Sequence, residues 1–413
     1  VLRLSLLAAL ASAAVAAAGA QASVSPEQLA LIPLPKADLG ASAVALPLAP
    51  DSGVETNKDA ADNAFGNVKA AQLARLGRIT GYTLDYDDAG AKALAAGHGL
   101  LEVQTSVELY RDAHAASNGL AFWRKDEQSF ASTSLPGIKV SLTAFAVAGA
   151  GGSSYSFAGS IELKGKPRIY GAEVLFQVGE LLADVSVTAA SEAETKPLTV
   201  ALARKLRAKI DLAHAGKLRG PPIALPGKVK PGPPPNGPEL SKLALTPADL
   251  GANARVVHQG YKLDKDLSPI SDYDRELSPA GAFADLEEQV ELFHSPIEAG
   301  YTLTAVVAGF SSEALVKQFG AAAFKSAHIA SFKVTRLPAL HAGDEARAAL
   351  ATIRLTNGLA FNMGFVVVRN GSVLETLMVT TSVGVRLLPS ALSELARLAA
   401  ARADRGLGAG GTA

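Results

Sequence analysis

The stretch Phe176-Gln-Val-Gly-Glu-Leu-Leu-Ala-Asp-Val-Ser-Val187 has a counterpart 192 positions later, Val368-Arg-Asn-Gly-Ser-Val-Leu-Glu-Thr-Leu-Met-Val379. Both read as an apolar run, a glycine turn at Gly179 or Gly371, and a second β-branched or alternating run, which is the pattern of two antiparallel strands. Pro197 and Pro389, each ahead of a long Leu/Ala/Arg segment, stand at the same 192-residue offset. Upstream, Val107-Glu-Leu-Tyr110 returns as Val290-Glu-Leu-Phe293 at an offset of 183, and Ala37-Asp-Leu-Gly-Ala41 as Ala248-Asp-Leu-Gly-Ala252 at 211. Matches in one order argue for duplication of a single module. The change of offset places an insertion in the first copy, assigned to the polar stretch Asp51 to Asn67. Asn118-Gly-Leu-Ala-Phe122 and Asn357-Gly-Leu-Ala-Phe361 break the register at 239 and are read as coincidence.

Within the first copy, Gly77 to Tyr86, Leu101 to Tyr110, Lys139 to Val147, Ser154 to Leu163, Ile169 to Val178 and Leu181 to Ala189 have strand periodicity. Asp272 to Leu277, Leu286 to Phe293, Ala330 to Leu337, Ala348 to Leu355, Ala360 to Arg369 and Val373 to Thr381 are their partners in the second. Asn357-Gly358 and Asn370-Gly371 suit two-residue hairpin turns. Helices are expected from about Asp112 and from about Ser311, and closing helices over Lys196 to Ala213 and Pro389 to Asp404. The apolar spacing Leu198, Leu202, Leu206, Ile210 supports the first closing helix, and Leu388, Leu392, Leu395, Ala399 the second. The expected fold is α+β: two homologous modules, each a mainly antiparallel sheet packed by one or two helices. Between them, residues 219 to 238 carry eight prolines, a composition that excludes helix and inner strand and makes a semi-rigid linker.

The amino terminus reads as an export signal. Arg3 precedes a Leu/Ala run from Leu4 to Ala18, and Ala20-Gln21-Ala22 offers a small-x-small cleavage site. The domain reading is therefore a signal peptide over 1–22, a first module over 23–218, the linker over 219–238, a second module over 239–405 and a disordered Gly-rich tail over 406–413. Export to the extracellular space or cell envelope of a bacterium is the corresponding expectation. The chain has no cysteine, which removes disulfides, lipidation, thiolate catalysis and Cys-ligated zinc. With 413 residues and 48% hydrophobic content, core burial alone suffices for folding.

Lys and Arg number 39, as do Asp and Glu, so no net field favours nucleic acid. Locally, Lys196 to Lys230 holds nine bases against Asp211, and Asp264 to Glu291 holds nine acids against Lys265 and Arg275. These two runs predict salt-sensitive docking of the modules.

No Gly-x-Ser-x-Gly, Walker or His-Glu-x-x-His pattern is present. Gly149-Ala-Gly-Gly-Ser-Ser154 lacks the final glycine of a dinucleotide loop and reads as a hairpin connection. His341 with Asp344 and Glu345, and Asp264, Asp266, Asp272 and Asp274, carry oxygen or nitrogen ligands without the spacing that zinc or calcium needs. No catalytic residue, metal or cofactor is assigned. Tyr82, Tyr86, Tyr110 and Trp123 are candidates to line an apolar ligand cleft. Arg204, Lys205, Arg207 and Lys209 are candidates for a surface that meets an anionic envelope component.

The ordered Asp-Leu-Gly, the Val-Glu-Leu-aromatic strand, the Gly343-Asp-Glu-Ala346 loop and the closing Leu/Ala/Arg helix together resemble secreted α+β sensor-type domains of actinobacteria and related bacteria. Extracellular domains of some mycobacterial serine/threonine kinases are examples. The resemblance implies a cleft-bearing binding module, here in tandem and without the cysteines those domains carry. A non-enzymatic binding or sensor-like protein is the functional expectation, its partner a small apolar ligand or an envelope component and not nucleic acid. The alternatives are a structural or interaction protein of the cell envelope and a hydrolase with an unrecognised site.

Overall fold

The computed structural model describes residues 24–410 except 44, 65–67, 88–90, 132–137, 150–152, 164, 227–230, 235–236, 252, 263–268, 279–282 and 311–328. The signal reading over 1–22 lies outside the described residues. In the first module, β1 (Gly53–Glu55), β2 (Arg78–Asp87), β3 (Leu100–Tyr110), β4 (Ile138–Ala144), β5 (Ser153–Leu163), β6 (Ile169–Val178) and β7 (Leu181–Ala189) form one antiparallel sheet. Its order is β1-β2-β3-β7-β6-β5-β4. Helix α1 (Ala113–Ala131) follows β3, and α2 (Glu192–His214) follows β7.

The second module repeats this path. Strands β8 (Arg255–Lys262), β9 (Pro269–Ser278), β10 (Phe283–Phe293), β11 (Ile329–Arg336), β12 (Glu345–Leu355), β13 (Ala360–Asn370) and β14 (Val373–Thr381) lie in the order β8-β9-β10-β14-β13-β12-β11. Helix α3 (Pro296–Phe310) follows β10, and α4 (Pro389–Gly410) follows β14. The two modules thus share one strand order.

Strand alternation sends one set of side chains to each face. On β3, Val103, Val107 and Leu109 join Val174, Phe176, Val185 and Val187 in the main core, closed by Leu202, Leu206 and Ile210 of α2. The register of β3 turns Glu102, Gln104, Ser106 and Glu108 to the opposite face, beside Thr188, Asp184 and Leu182 of β7. Among the described residues, a small apolar cluster, Tyr110, Ala115, Ala116, Leu175 and Leu182, packs there beneath α1. The repeated Ala-Asp-Leu-Gly is a clasp on the closing helix in both modules. Leu39 is buried and Lys205 Nζ donates to the Asp38 carbonyl; Leu250 packs on the second core while Arg402 reaches Asp249 at 3.3 Å.

Several expectations need correction. The insertion in the first copy consists of two short helices, Asn57–Asp62 and Ala70–Leu76, between β1 and β2. In both copies a helix starts directly after the Val-Glu-Leu-aromatic strand, the second being α3 from Pro296; the helix expected from about Ser311 lies outside the described residues. The N-terminal side chains explain it: Asp112 accepts from Ala115 N at 2.7 Å and Ser295 from Glu298 N at 3.2 Å, at matching positions of the two copies. Gly371-Ser372 forms the tight β13–β14 turn, with Asn370 inside the strand, and the loop at Asn357-Gly358 is four residues long. Helix α4 runs through Gly406 to Gly410, beyond the expected start of the tail. Asn118–Phe122 is helical and Asn357–Phe361 is turn and strand, so that match is indeed unrelated to the duplication.

The described residues of 219–238 hold no helix or strand, yet Ile223 packs on the first core and Ser271 Oγ donates to the Gly232 carbonyl at 2.9 Å. Contact between the modules is mainly apolar: Ile297 and Tyr301 of α3 meet Leu94, Leu101, Ile169 and Ala190. Lys166 and Glu345 add an ion pair at 3.8 Å. Within the acidic run, Asp274 pairs with Lys262 and Arg275 donates to the Leu245 carbonyl at 2.6 Å, both inside the second module, while Asp264 and Asp266 lie outside the described residues.

Candidate functional site

Helix α1 approaches the polar face of the first sheet closely because residue 119 is glycine. A Cβ there would stand 2.4 Å from the Tyr110 ring. Beneath the helix, Arg78 has no exposed side-chain surface and its Nε lies 2.6 Å from Glu108 Oε1. Glu108 Oε2 accepts from the Tyr110 hydroxyl at 2.8 Å and from Trp123 Nε1 at 3.0 Å. Arg78 also pairs with Glu55 and donates from Nη1 to Asn57 Oδ1 at 2.9 Å. Every charge in this set is partnered, as burial demands.

Beside it lies a carboxyl triad drawn from three elements: Glu127 of α1, Glu173 of β6 and Asp184 of β7. Leu175 stands opposite Asp184 and Ser186 opposite Glu173, so the two strand carboxyls are diagonal neighbours on one face. Glu127 is 8% exposed, while Glu173 and Asp184 are half-buried. Burial pushes all three upward, Glu127 to about 11 and Asp184 well above the usual carboxylate range. Glu173 serves as the shared acceptor for the other two carboxyls. Glu127 Oε2 and Asp184 Oδ1 find no ordinary donor or acceptor, and a proton on each of these groups resolves both. Tyr155 and Phe157 of β5 flank the triad with ring centroids 5.7 Å apart, and the Arg124 guanidinium sits 5.1 Å over the Tyr155 ring.

The second module shows what the fold itself requires at these positions. With the copies in register, Glu127, Glu173 and Asp184 correspond to Phe310, Phe365 and Thr376. Phe310 and Phe365 stack at 4.3 Å, within an apolar cluster that includes Phe332 and Ile353. The same architecture therefore closes with an aromatic stack where the first module holds carboxyls.

Away from α1, the polar strip continues through Ser186 and Thr188 to Glu102, which accepts from Thr188 Oγ1 at 3.3 Å. Asp87 stands opposite Glu102, and Asp85 opposite Gln104. Burial, followed by the neighbouring acids, lifts Glu102 to about 7 and Asp85 to about 9. Burial also carries Glu298 of α3 to about 8, with Asp87 contributing.

The four aromatic candidates are divided between the two faces. Tyr82 and Tyr86 lie in the main core, where Tyr86 donates to the Leu34 carbonyl at 3.3 Å. Tyr110 and Trp123 meet on Glu108 beneath α1. The basic residues of α2 all have partners within the chain. Lys209 Nζ donates to the Pro33 carbonyl at 2.8 Å, with burial holding it below the usual lysine range. Arg204 reaches the Ala148 carbonyl at 3.4 Å, Lys205 the Asp38 carbonyl, and Arg207 pairs with Asp211 at 3.0 Å. Lys205 and Lys209 thereby hold the amino-terminal segment on the helix. Asp344 pairs with Arg369 and Glu345 with Arg347. Among the described residues, no group of three or more His, Cys, Asp or Glu is disposed to hold a metal, and no helix is long and apolar enough to cross a membrane.

No family model matches the chain, and no curated protein matches it. Among solved structures, it is similar to the extracellular domain of PknH from Mycobacterium tuberculosis over 46% of this chain and 98% of that domain, at 13% identity and a TM-score of 0.33. An acyl-CoA thioesterase II, TesB2, from Mycobacterium marinum aligns over 74% of this chain and 94% of its own length at 11% identity and a TM-score of 0.14. The tesB protein of Mycobacterium avium subs paratuberculosis aligns over 75% and 97% at 12% identity and 0.12. Likenesses of this size transfer no function.

Proposed function

We propose that this chain is an exported, non-enzymatic binding or sensor-like protein whose ligand engages the carboxyl-lined face of the first sheet beside α1. The comparison of the two copies carries the proposal: an aromatic stack closes the second module where the first holds Glu127 and Glu173. Burying carboxyls where apolar groups suffice costs stability, and recognition of a ligand accounts for their presence. The protons of Glu127 and Asp184 are directed to Glu173, so the triad meets a ligand with its remaining acceptor lone pairs, while Tyr155 and Phe157 supply an apolar wall. That combination suits a small uncharged ligand rich in hydroxyl donors, such as a saccharide.

The experiment is an exchange between copies. Glu127→Phe with Glu173→Phe should leave a folded protein and abolish thermal shifts produced by a panel of neutral saccharides and apolar small molecules on the parent chain. A double variant that keeps the parent's ligand response would overturn the assignment. One observation favours a second reading, a hydrolase: carboxyls that share protons can activate water. Product formation from a shifting ligand, lost with Asp184→Asn, would replace binding by catalysis.

We further propose that 23–218 and 239–405 are separable folding units joined by the Pro-rich linker. Limited proteolysis should cut first between Arg219 and Ser241 and leave two fragments that each unfold cooperatively. First cleavage deep inside either half would count against separability.

A further inference from the structure

At the end of the polar face away from α1, Asp51, Asp85, Asp87 and Glu102 converge. Asp85 is 8% exposed and its backbone is fixed on both sides. Ala49 N donates to its carbonyl at 2.8 Å, and its own N–H donates to Ser52 Oγ at 3.0 Å. The side chain therefore points from a fixed base to the face shared with Gln104, and its Oδ1 has no hydrogen-bond partner. The charged groups that act on it most strongly are Glu102, Asp51 and Asp87, and Glu298 of α3 faces Asp87 from the second module.

We propose that this cluster binds the primary ammonium group of an organic amine, with Asp85 Oδ1 accepting one of its N–H donors. The proposal does not rest on the reading of the α1 cleft. A monatomic cation is disfavoured by geometry, since these carboxyls are not disposed as a metal shell among the described residues. An ammonium group needs no such shell: three N–H donors on a compact charge reach acceptors at ordinary hydrogen-bond distances and match an unpaired buried carboxylate oxygen. Protons compete for the same oxygens, because burial lifts Asp85 to about 9 and Glu102 to about 7. Binding should therefore release protons and tighten as pH rises.

Calorimetry of the full chain with 1,4-diaminobutane tests this. Saturable binding is expected at pH 8, at least tenfold weaker at pH 5.5, with a heat that differs between buffers of unlike ionisation enthalpy. Asp85→Asn should weaken binding at least tenfold while preserving the circular dichroism spectrum, and Glu102→Gln should do so too if the first variant folds poorly. Nα-acetyl-lysine methylamide separates the sources. If it binds as well, the site accepts any alkylammonium, including lysine side chains; if it does not, the site is one for free polyamines. Tetramethylammonium, which has no N–H, should not bind. Absence of saturable binding, equal binding of tetramethylammonium, or unchanged affinity in both variants would overturn the proposal.

Discussion

Replacing Arg78 by methionine is expected to destabilise the first module by about 3–5 kcal/mol, the cost of breaking a buried ion set by removing one partner. The side chain is fully buried and bridges Glu55 and Glu108, two carboxyls from different parts of the chain. Even with Arg78 present, burial carries Glu55 to about 7, so without it Glu55 must take up a proton or drag in water. Glu108 keeps its donors from Tyr110 and Trp123, which limits the loss to that range. Urea unfolding at neutral pH should show a lower midpoint with an unchanged slope. Adding Glu55→Gln and Glu108→Gln should recover part of the loss by removing the unpaired charge. A destabilisation below about 1 kcal/mol would mean that solvent enters this network freely.

The parts of the fold visible in the sequence are those set by local period. Gly179 and Gly371, the β6–β7 and β13–β14 runs and the Leu-rich closing helices each carry their own signal. Strand β1 has only three residues, and β8 has mostly exposed side chains and an internal Gly260, so neither shows the half-buried alternation that marks a strand. Tyr82, Leu84 and Tyr86 alternate onto one face of β2, and Asp85 and Asp87 onto the other. That division is legible in the sequence, but which face receives the long closing helix is settled by tertiary packing. Of the four aromatic candidates, Tyr82 and Tyr86 therefore lie in the main core and Tyr110 and Trp123 on the opposite face. The triad was hidden for a related reason. Glu173 and Asp184 read as the solvated side of an antiparallel sheet, and Glu127 as an exposed helix position, until α1 folds across them. The signal that would have found them was comparison of the copies position by position: Glu127 against Phe310 and Glu173 against Phe365 are polar-for-aromatic exchanges at matched positions of a duplicated fold.

The thermal midpoint is expected to fall as pH rises from 5 to 8.5, the reverse of ordinary acid denaturation. Burial places Glu55 and Glu102 at about 7, Glu298 at about 8, Asp85 at about 9 and Glu127 at about 11. It also raises Glu288 and Glu375, which face one another in the second core near Arg275, Arg402 and Asp249. In the unfolded chain these carboxyls titrate near 4. Above that pH the folded state holds protons that the unfolded state gives up, so stability is complete below the unfolded value and is lost as pH climbs through the folded ones. Asp249 acts in the opposite sense: burial raises it, but hydrogen bonds from Thr246 and the charges of Arg402 and Arg405 leave it lowered. Its contribution disappears only on acidification below the ordinary Asp range, which puts the maximum near pH 5. One pKa unit is worth about 1.4 kcal/mol, and coupling between neighbours keeps the sum below the simple total. A fall on the order of 10 °C across the range is expected for modules of this size. The Glu127→Phe and Glu173→Phe double variant provides the internal check: it should melt higher than the parent at pH 8.5 and near the parent at pH 5, flattening the profile. A midpoint that rises with pH in the parent chain would show that these carboxyls are ionised in the folded state and that water reaches them.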